Sequence, residues 1–439
     1  MQIQGFEDVL YVKNFSLKKR SGDHSNCKFV AAIKVDDVGK YIGKVGKQIC
    51  VMLNNGRRPI FFGRIEEVEV EKTFSRTCIR VSAVSETQLI DEEPVTRIFQ
   101  NPDKTFSDVL NKSRLKLNNC NLQLDDTFAN FKPKVVILQN QETNFQFIKR
   151  LAESRNFKTW VIDTKNTPEI RVSKCLDESA IQVKSEEIIR LSKRHNKKIP
   201  SARLTLYRFI DIGRIIQLIG VDNDVQKYLI NSLELYQEGS ADRFDYELEE
   251  FKIQPLAQVT DKALEKVVKF KAKIKDVNDP ENLGRVQVDF DNNEVEDNDD
   301  KKLWIPYRSP YSGTVGGIVF LPDVGDEVEI FFTNGECYAC STLRKNPLSD
   351  ECKNVKDKYI GNNFKQRIIW KEKSLEINSF NNKIELDEKK IELTVGKNSL
   401  RLDDNGITIK TTNDEVVLTG GKIIIKSGTV KIGDKVELA

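Results

Sequence analysis

About seventy residues, from Ile368 to Leu438, repeat on a constant step, and that step limits what this chain can fold into. Apolar-x-apolar triplets recur at Ile368–Trp370, Leu375–Ile377, Ile384–Leu386, Ile391–Leu393 and Leu400–Leu402. They continue at Ile407–Ile409, Val416–Leu418, Ile423–Ile425, Val430–Ile432 and Val436–Leu438. Ile368, Ile384, Leu400 and Val416 stand sixteen apart, as do Leu375, Ile391, Ile407 and Ile423. Two interleaved registers of sixteen make a mean repeat of eight. The outer residues of a triplet share one strand face and the middle one points the other way. Glu376, Glu385, Glu392, Arg401 and Thr408 are middle residues, so one face is apolar and the other wet. Asn381-Asn382, Gly396, Asp403–Gly406, Asn413-Asp414, Gly420-Gly421, Gly428 and Gly433-Asp434 punctuate the strands.

A constant period marks a repeat architecture. A three-residue strand on an eight-residue repeat cannot close a core within its own chain. Three chains wound together would bury the apolar face along a common axis. Ten triplets at roughly 4.8 Å each make a shaft on the order of 50 Å. The expectation is an intertwined trimeric β-helix, or β-prism. Its core would comprise Ile384, Leu386, Ile391, Leu393, Leu400, Leu402, Ile407, Ile409, Val416, Leu418, Ile423 and Ile425. A two-sided single-chain solenoid with sixteen residues per coil is the alternative.

The remaining chain also reads as mainly β. With 439 residues there is room for three or four domains. Residues 1–95 carry strand-like runs at 29–35, 48–53, 60–65 and 77–83, which suggest a barrel-like hub domain. Residues 96–185 look mixed α/β, with a strand at Lys134–Leu138 and a helix from Thr143 to Glu153 that Thr143 would cap. Residues 186–255 suggest a second barrel-like region. Residues 256–344 hold five strand-like runs in about 80 residues, including 302–306 and 317–320, which fits an OB barrel. Residues 345–367 read as a polar linker, and 368–439 as the spike.

Composition excludes several function classes. The 70 basic and 67 acidic residues nearly cancel, unlike a dedicated nucleic-acid binder. No apolar run is long enough for a transmembrane helix. The start, Met1 to Phe6, lacks the parts of a signal peptide, so cytoplasmic assembly is expected, with free rather than bridged cysteines. Only His24 and His195 are available for histidine chemistry.

The candidate chemical groups are few, and no catalytic, cofactor or metal residue is assigned. Cys337 and Cys340 form a C-x-x-C with Cys352 beyond, but no fourth zinc ligand is near. Glu142 could be an acid or base; a cap or an ion pair with Lys149 or Arg150 accounts for it more simply. Lys193, Arg194, His195, Lys197 and Lys198 form a short basic run that could touch phosphate or belong to a solvated loop. The acidic run Asp291–Asp300 lacks the Gly and the terminal Glu of an EF-hand and reads as a solvated hairpin tip.

Two stretches resemble the VgrG and tailed-phage baseplate hub-and-spike proteins. One runs Gly284-Arg-Val-Gln-Val288, Leu303-Trp-Ile-Pro306, then Gly316 to Phe332. It contains the OB turn motif Pro322, Val324, Gly325, Asp326, Glu327 and Val328. The other, Val135 to Glu153, is similar to a Q-x-x-E-T segment of the family's hub domain. The order hub, OB domain, prism matches as well. The resemblance implies a non-enzymatic homotrimeric spike of a contractile injection machine, in a phage, a bacteriocin-like particle or a type VI system. It would cap the inner tube, meet baseplate proteins, could carry a separate tip protein or cargo, and would be driven mechanically into a target envelope. No nucleic-acid partner or cofactor is implied. The chain departs from family members that carry a lysozyme domain before the prism, or a His-x-His iron tip. An envelope-glycan enzyme and an OB-type binding protein or adhesin are the competing readings.

Overall fold

The computed structural model describes residues 2–429 apart from 35–36, 54–57, 75, 92, 112–119, 195–200, 222–225, 239–240, 253–266, 291–301, 314–316, 334–335, 343–353, 355 and 427–428. The chain divides into two units, Met1–Leu343 and Arg344–Ala439.

In the first unit the strand Tyr11–Arg20 is the joint. On one side it pairs with Asn26–Ile33, which continues through Thr77–Ser85, Arg58–Lys72 and Gln48–Leu53 to Gln2–Gln4. On the other side it pairs with Lys227–Glu238, setting Leu17 opposite Leu235 and Arg20 opposite Ser232. From there the sheet runs through Ala241–Glu250 and Ser201–Leu206 to Ile188–Arg194. The two barrel-like stretches therefore share one 12-stranded sheet and one apolar core. Phe15, Leu17, Phe29, Val81, Leu204, Leu235 and Phe244 all lie within it. The strand Asp177–Lys184, read as part of the mixed region, joins this sheet in parallel with Arg214–Ile219.

The mixed region has its own aromatic core of Phe106, Phe128, Phe147 and Phe157. Its helix, Asn144–Ser154, starts where its cap requires. The Thr143 side chain accepts from the Gln146 amide and the Gln146 side chain accepts from the Thr143 amide. This reciprocal box satisfies two donors that the first turn leaves open. Phe145, Phe147, Ile148, Leu151 and Ala152 are its buried face. The strand before it spans Ile137–Glu142, a little later than the sequence suggests.

The OB unit is a five-stranded sheet in the order Ile305–Pro306, Arg285–Phe290, Val268–Asp276, Glu327–Thr333, Glu336–Thr342. A bridge between Tyr307 and Ala339 draws its two ends together. The expected strand over 317–320 is not one. Gly317 makes only an isolated bridge with Ser312, and Ile318, Val319 and Phe320 are exposed. With no inward partner row, their β-branched and aromatic chemistry alone does not make a strand.

The second unit is a nine-stranded sheet in which every strand pairs with the next in sequence, antiparallel throughout. Its first strand, Lys358–Gly361, lies inside the stretch read as a linker. The step of eight has a simple local cause. Six-residue strands such as Lys390–Val395 and Asn398–Asp403 are joined by two-residue turns. Sixteen residues are one passage out and back, not one coil of a single-chain solenoid.

Candidate assembly surface

Strand register places the repeat's residues in straight rows across the second unit. One row runs Ile368, Ile377, Ile384, Leu393, Leu400, Ile409, Val416, Ile425. A second runs Leu375, Leu386, Ile391, Leu402, Ile407, Leu418, Ile423. All twelve residues expected to form a trimer core lie in these two rows, on one face. Among the described residues of this unit nothing covers that face: Leu402 is 48% exposed, Ile409 46% and Ile425 51%. At roughly 25 cal/mol per Å², leaving so many aliphatic side chains half wet forgoes most of the burial that stabilises a sheet. A contiguous apolar patch of this extent marks an interaction surface.

The opposite face carries Glu376, Glu385, Glu392, Arg401 and Thr408 in a line. Three glutamates directly across from one another would repel. Lysines on the same face separate them. Lys383 bonds Glu376 at 2.8 Å and Glu385 at 3.0 Å, and Lys390 bonds Glu392 at 2.6 Å. Lys371 adds a contact to Glu376 at 2.6 Å. These hydrogen bonds hold the Glu376 carboxyl below its ordinary range despite an opposing desolvation, the largest single influence on it. The turns are built for close approach. Gly406 has φ +133°, and a Cβ there would collide with the Leu418 carbonyl oxygen.

In the OB unit the motif residues form a turn rather than a site. Gly325 takes φ +94°, a conformation that favours glycine. Its amide donates to the Ile274 carbonyl and the Ile274 amide donates to the Asp326 carbonyl, both at 2.8 Å. The Asp323 amide donates to the Asp326 carboxylate at 3.0 Å. Pro322 and Val328 are buried, Val324 is exposed, and Glu327 opens the next strand. Nearby, Asp279 accepts a two-pronged bond from Arg285 at 2.8 and 2.7 Å, together with three backbone amides. The Arg285 guanidinium, first, and those amides hold its carboxyl well below the usual carboxylate range.

The other candidates resolve into structure. Glu142 ends its strand and takes a two-pronged bond from Arg150, 2.7 and 2.8 Å; Lys149 turns instead to Asp23. Cys337 packs against the OB core as a free thiol that burial pushes up to about 12, so it is a poor nucleophile. Cys340 sits across from Glu329, and Cys352 lies outside the described residues. Lys193 and Arg194 end a strand, while 195–198 and the acidic run 291–300 lie outside the described residues. Among the described residues no group of three or more His, Cys, Asp or Glu could hold a metal ion. Among them, too, no helix is long and apolar enough to cross a membrane.

One buried charge escapes a reading of the sequence. Lys19 follows Phe15 and Leu17 at an inward-facing position and is fully buried. Its ammonium bonds Asp163 at 2.5 Å and Asp211 at 3.2 Å. These three residues tie the joint strand to two loops of the hub. A lysine in phase with Phe15 and Leu17 is the available signal, since a buried ammonium needs partners.

Comparison with known proteins follows this division of parts. The profile of the type VI secretion system/phage-baseplate injector OB domain matches residues 270–342. No curated protein matches the chain by sequence. Among solved structures it is similar to the E. coli c3393 protein, described as a type VI secretion component with structural similarity to the T4 tail proteins gp27 and gp5. That match has 14% identity and a TM-score of 0.54 over 78% of this chain and 99% of the other. It is also similar to a chain of the half-lidded Francisella PdpA-VgrG complex. There identity is 9% and the TM-score 0.55, over 91% of this chain and 83% of that one. The lidless form of that complex matches at 7% identity and TM-score 0.55, over 91% and 93%. Residues 270–342 thus match the injector OB-domain family, and the chain shares the fold of the c3393 protein and of the Francisella PdpA-VgrG complex chain.

Proposed function

We propose that this protein is the central hub and spike of a contractile injection machine and works as a homotrimer. The carrying observation is the uncovered pair of aliphatic rows from Ile368 to Ile425. Three such sheets, apolar faces inward, would enclose a dry axis and leave the Glu–Lys face in water. A flat antiparallel sheet with one oily face does not persist alone in water; a three-walled prism is a closed solution. The hub would cap the inner tube and meet baseplate proteins, and a tip protein or cargo could ride on the assembly. Its work is mechanical. Sheath contraction would push a shaft whose strands lie across the axis into an envelope. Their ladder of hydrogen bonds stiffens the wall along the direction of load. Such a protein would be assembled inside the producing cell and delivered as part of a particle.

Light scattering on the purified chain, with and without residues 346–439, tests this. The expected result is a full-length trimer that weakens or dissociates on truncation. A full-length chain that stays monomeric at high concentration would overturn it.

A further inference from the structure

The wet face of the ladder changes character along its length. The central row opens on Tyr359 and a buried Ile369, and from there reads Glu376, Glu385, Glu392, Arg401, Thr408, Val417, Ile424, from charged through polar to an aliphatic end that is not buried. The flanking positions change sign over the same distance. On the four strands from Ser374–Ser379 to Asn398–Asp403 this face carries Glu376, Glu385, Asp387, Glu392 and Asp403 against Lys383, Lys390 and Arg401. On Gly406–Lys410, Glu415–Thr419 and Lys422–Lys426 it carries Lys410, Lys422 and Lys426 against Glu415 alone. Asp414 lies in the turn between the first two of these. The three lysines are exposed, and only Lys426 reaches the glutamate, at 3.3 Å.

Closing a prism through the two inner rows would leave this outer face uncovered, so its aliphatic end calls for another partner. We propose that the outer face of these last three described strands binds an anionic lipid surface. This rests on the spike reading and assigns that spike a contact. A small aliphatic centre rimmed by lysines matches the boundary between acyl chains and phosphate headgroups. Protein-binding anchors are more often Trp, Tyr or Arg, and this face of the three strands has none of them. The four strands from Ser374–Ser379 to Asn398–Asp403, with more carboxylates than cations on this face, would be repelled by the same surface, which sets the contact on the strands beyond them.

The test is flotation of the full-length chain with phosphatidylcholine vesicles, with and without phosphatidylglycerol, alongside light scattering of each variant. Wild type should float with the anionic vesicles and stay behind with the neutral ones, and added salt should release it. K410Q/K422Q/K426Q should weaken anionic binding by roughly tenfold or more. V417T/I424T, which extends the Thr408 chemistry along the row, should weaken it several-fold. Both variants should keep the wild-type mass. A trimeric wild type that does not float overturns the lipid contact and leaves the spike reading standing. Variants that float like wild type overturn it too. Loss of the trimer in V417T/I424T would mean that this row is internal, again against the proposal. Failure of the spike reading would appear separately, as a monomeric wild type in light scattering.

Discussion

The hub sheet and the ladder sheet use the same strand grammar and end in opposite conditions. In the hub, alternation sends Leu17, Ile79 and Val81 into a core with no exposure. The covering layer is supplied by the same chain, through the joint strand and the second half of the sheet. In the ladder, alternation aligns Leu402, Ile409 and Ile425 on one face, and no described residue of that unit covers it. The hub sheet thus finds its second layer within the chain, whereas the described ladder leaves one apolar face exposed. Whether a period-two pattern yields a domain or an interface depends on where the second layer comes from.

The sharpest way to break this comparison is to place one carboxylate in each apolar layer. V81D should unfold the hub at every protein concentration. Burying an unpaired carboxylate there costs on the order of 5 kcal/mol or more, comparable to a whole domain's stability. Circular dichroism and solubility would report it. I407D should leave a folded, soluble hub and abolish the trimer, because three carboxylates would meet on one axis at about 3–5 kcal/mol each. Light scattering reads the outcome, and I407D trimers of normal thermal stability would sink the buried-axis idea. The wild-type ladder should also melt at a temperature that rises with concentration, while the hub's melting should not.

Two smaller changes probe each sheet's polar exceptions. K19M leaves Asp163 and Asp211 without their cation and should destabilise the hub by about 3–5 kcal/mol, seen as a lowered Tm with trimer mass retained. D279N acts on the OB unit and has a defined pH dependence. The folded-state pKa of Asp279 lies below its ordinary value of 3.8. Its contribution is therefore fully present above that value and is lost as pH falls through the lower, folded one. Thermal melts should show wild-type stability dropping more steeply than that of D279N below about pH 4. Parallel curves would remove Asp279 from that role.

Much of the fold is legible in the amino-acid sequence. The cap at Thr143, the turn at Gly325 and the apolar rows of the ladder all follow from local chemistry: a hydroxyl for an open amide, a glycine for a positive φ, a period for a face. The failures have a common physical source. Ile318, Val319 and Phe320 have the composition of a strand but no strand among the described residues pairs with them. Lys19 stands in phase with the inward-facing Phe15 and Leu17, but the two aspartates that meet it are distant in sequence. The pairing of Tyr11–Arg20 with Lys227–Glu238, which turns two barrel-like stretches into one sheet, leaves no mark in either stretch.

What the sequence determined by itself is the short-range part: strand length, turn positions, and which side chains share a face. These depend on residues within one or two turns of chain, where backbone sterics and side-chain alternation act directly. Tertiary structure alone decided which strands are neighbours, which charge is buried, and which apolar face is left open. Those outcomes depend on contacts between residues up to about 200 positions apart, such as Lys19 with Asp211. Their free energy is that of water removed from both partners at once, and no local pattern in one partner identifies the other.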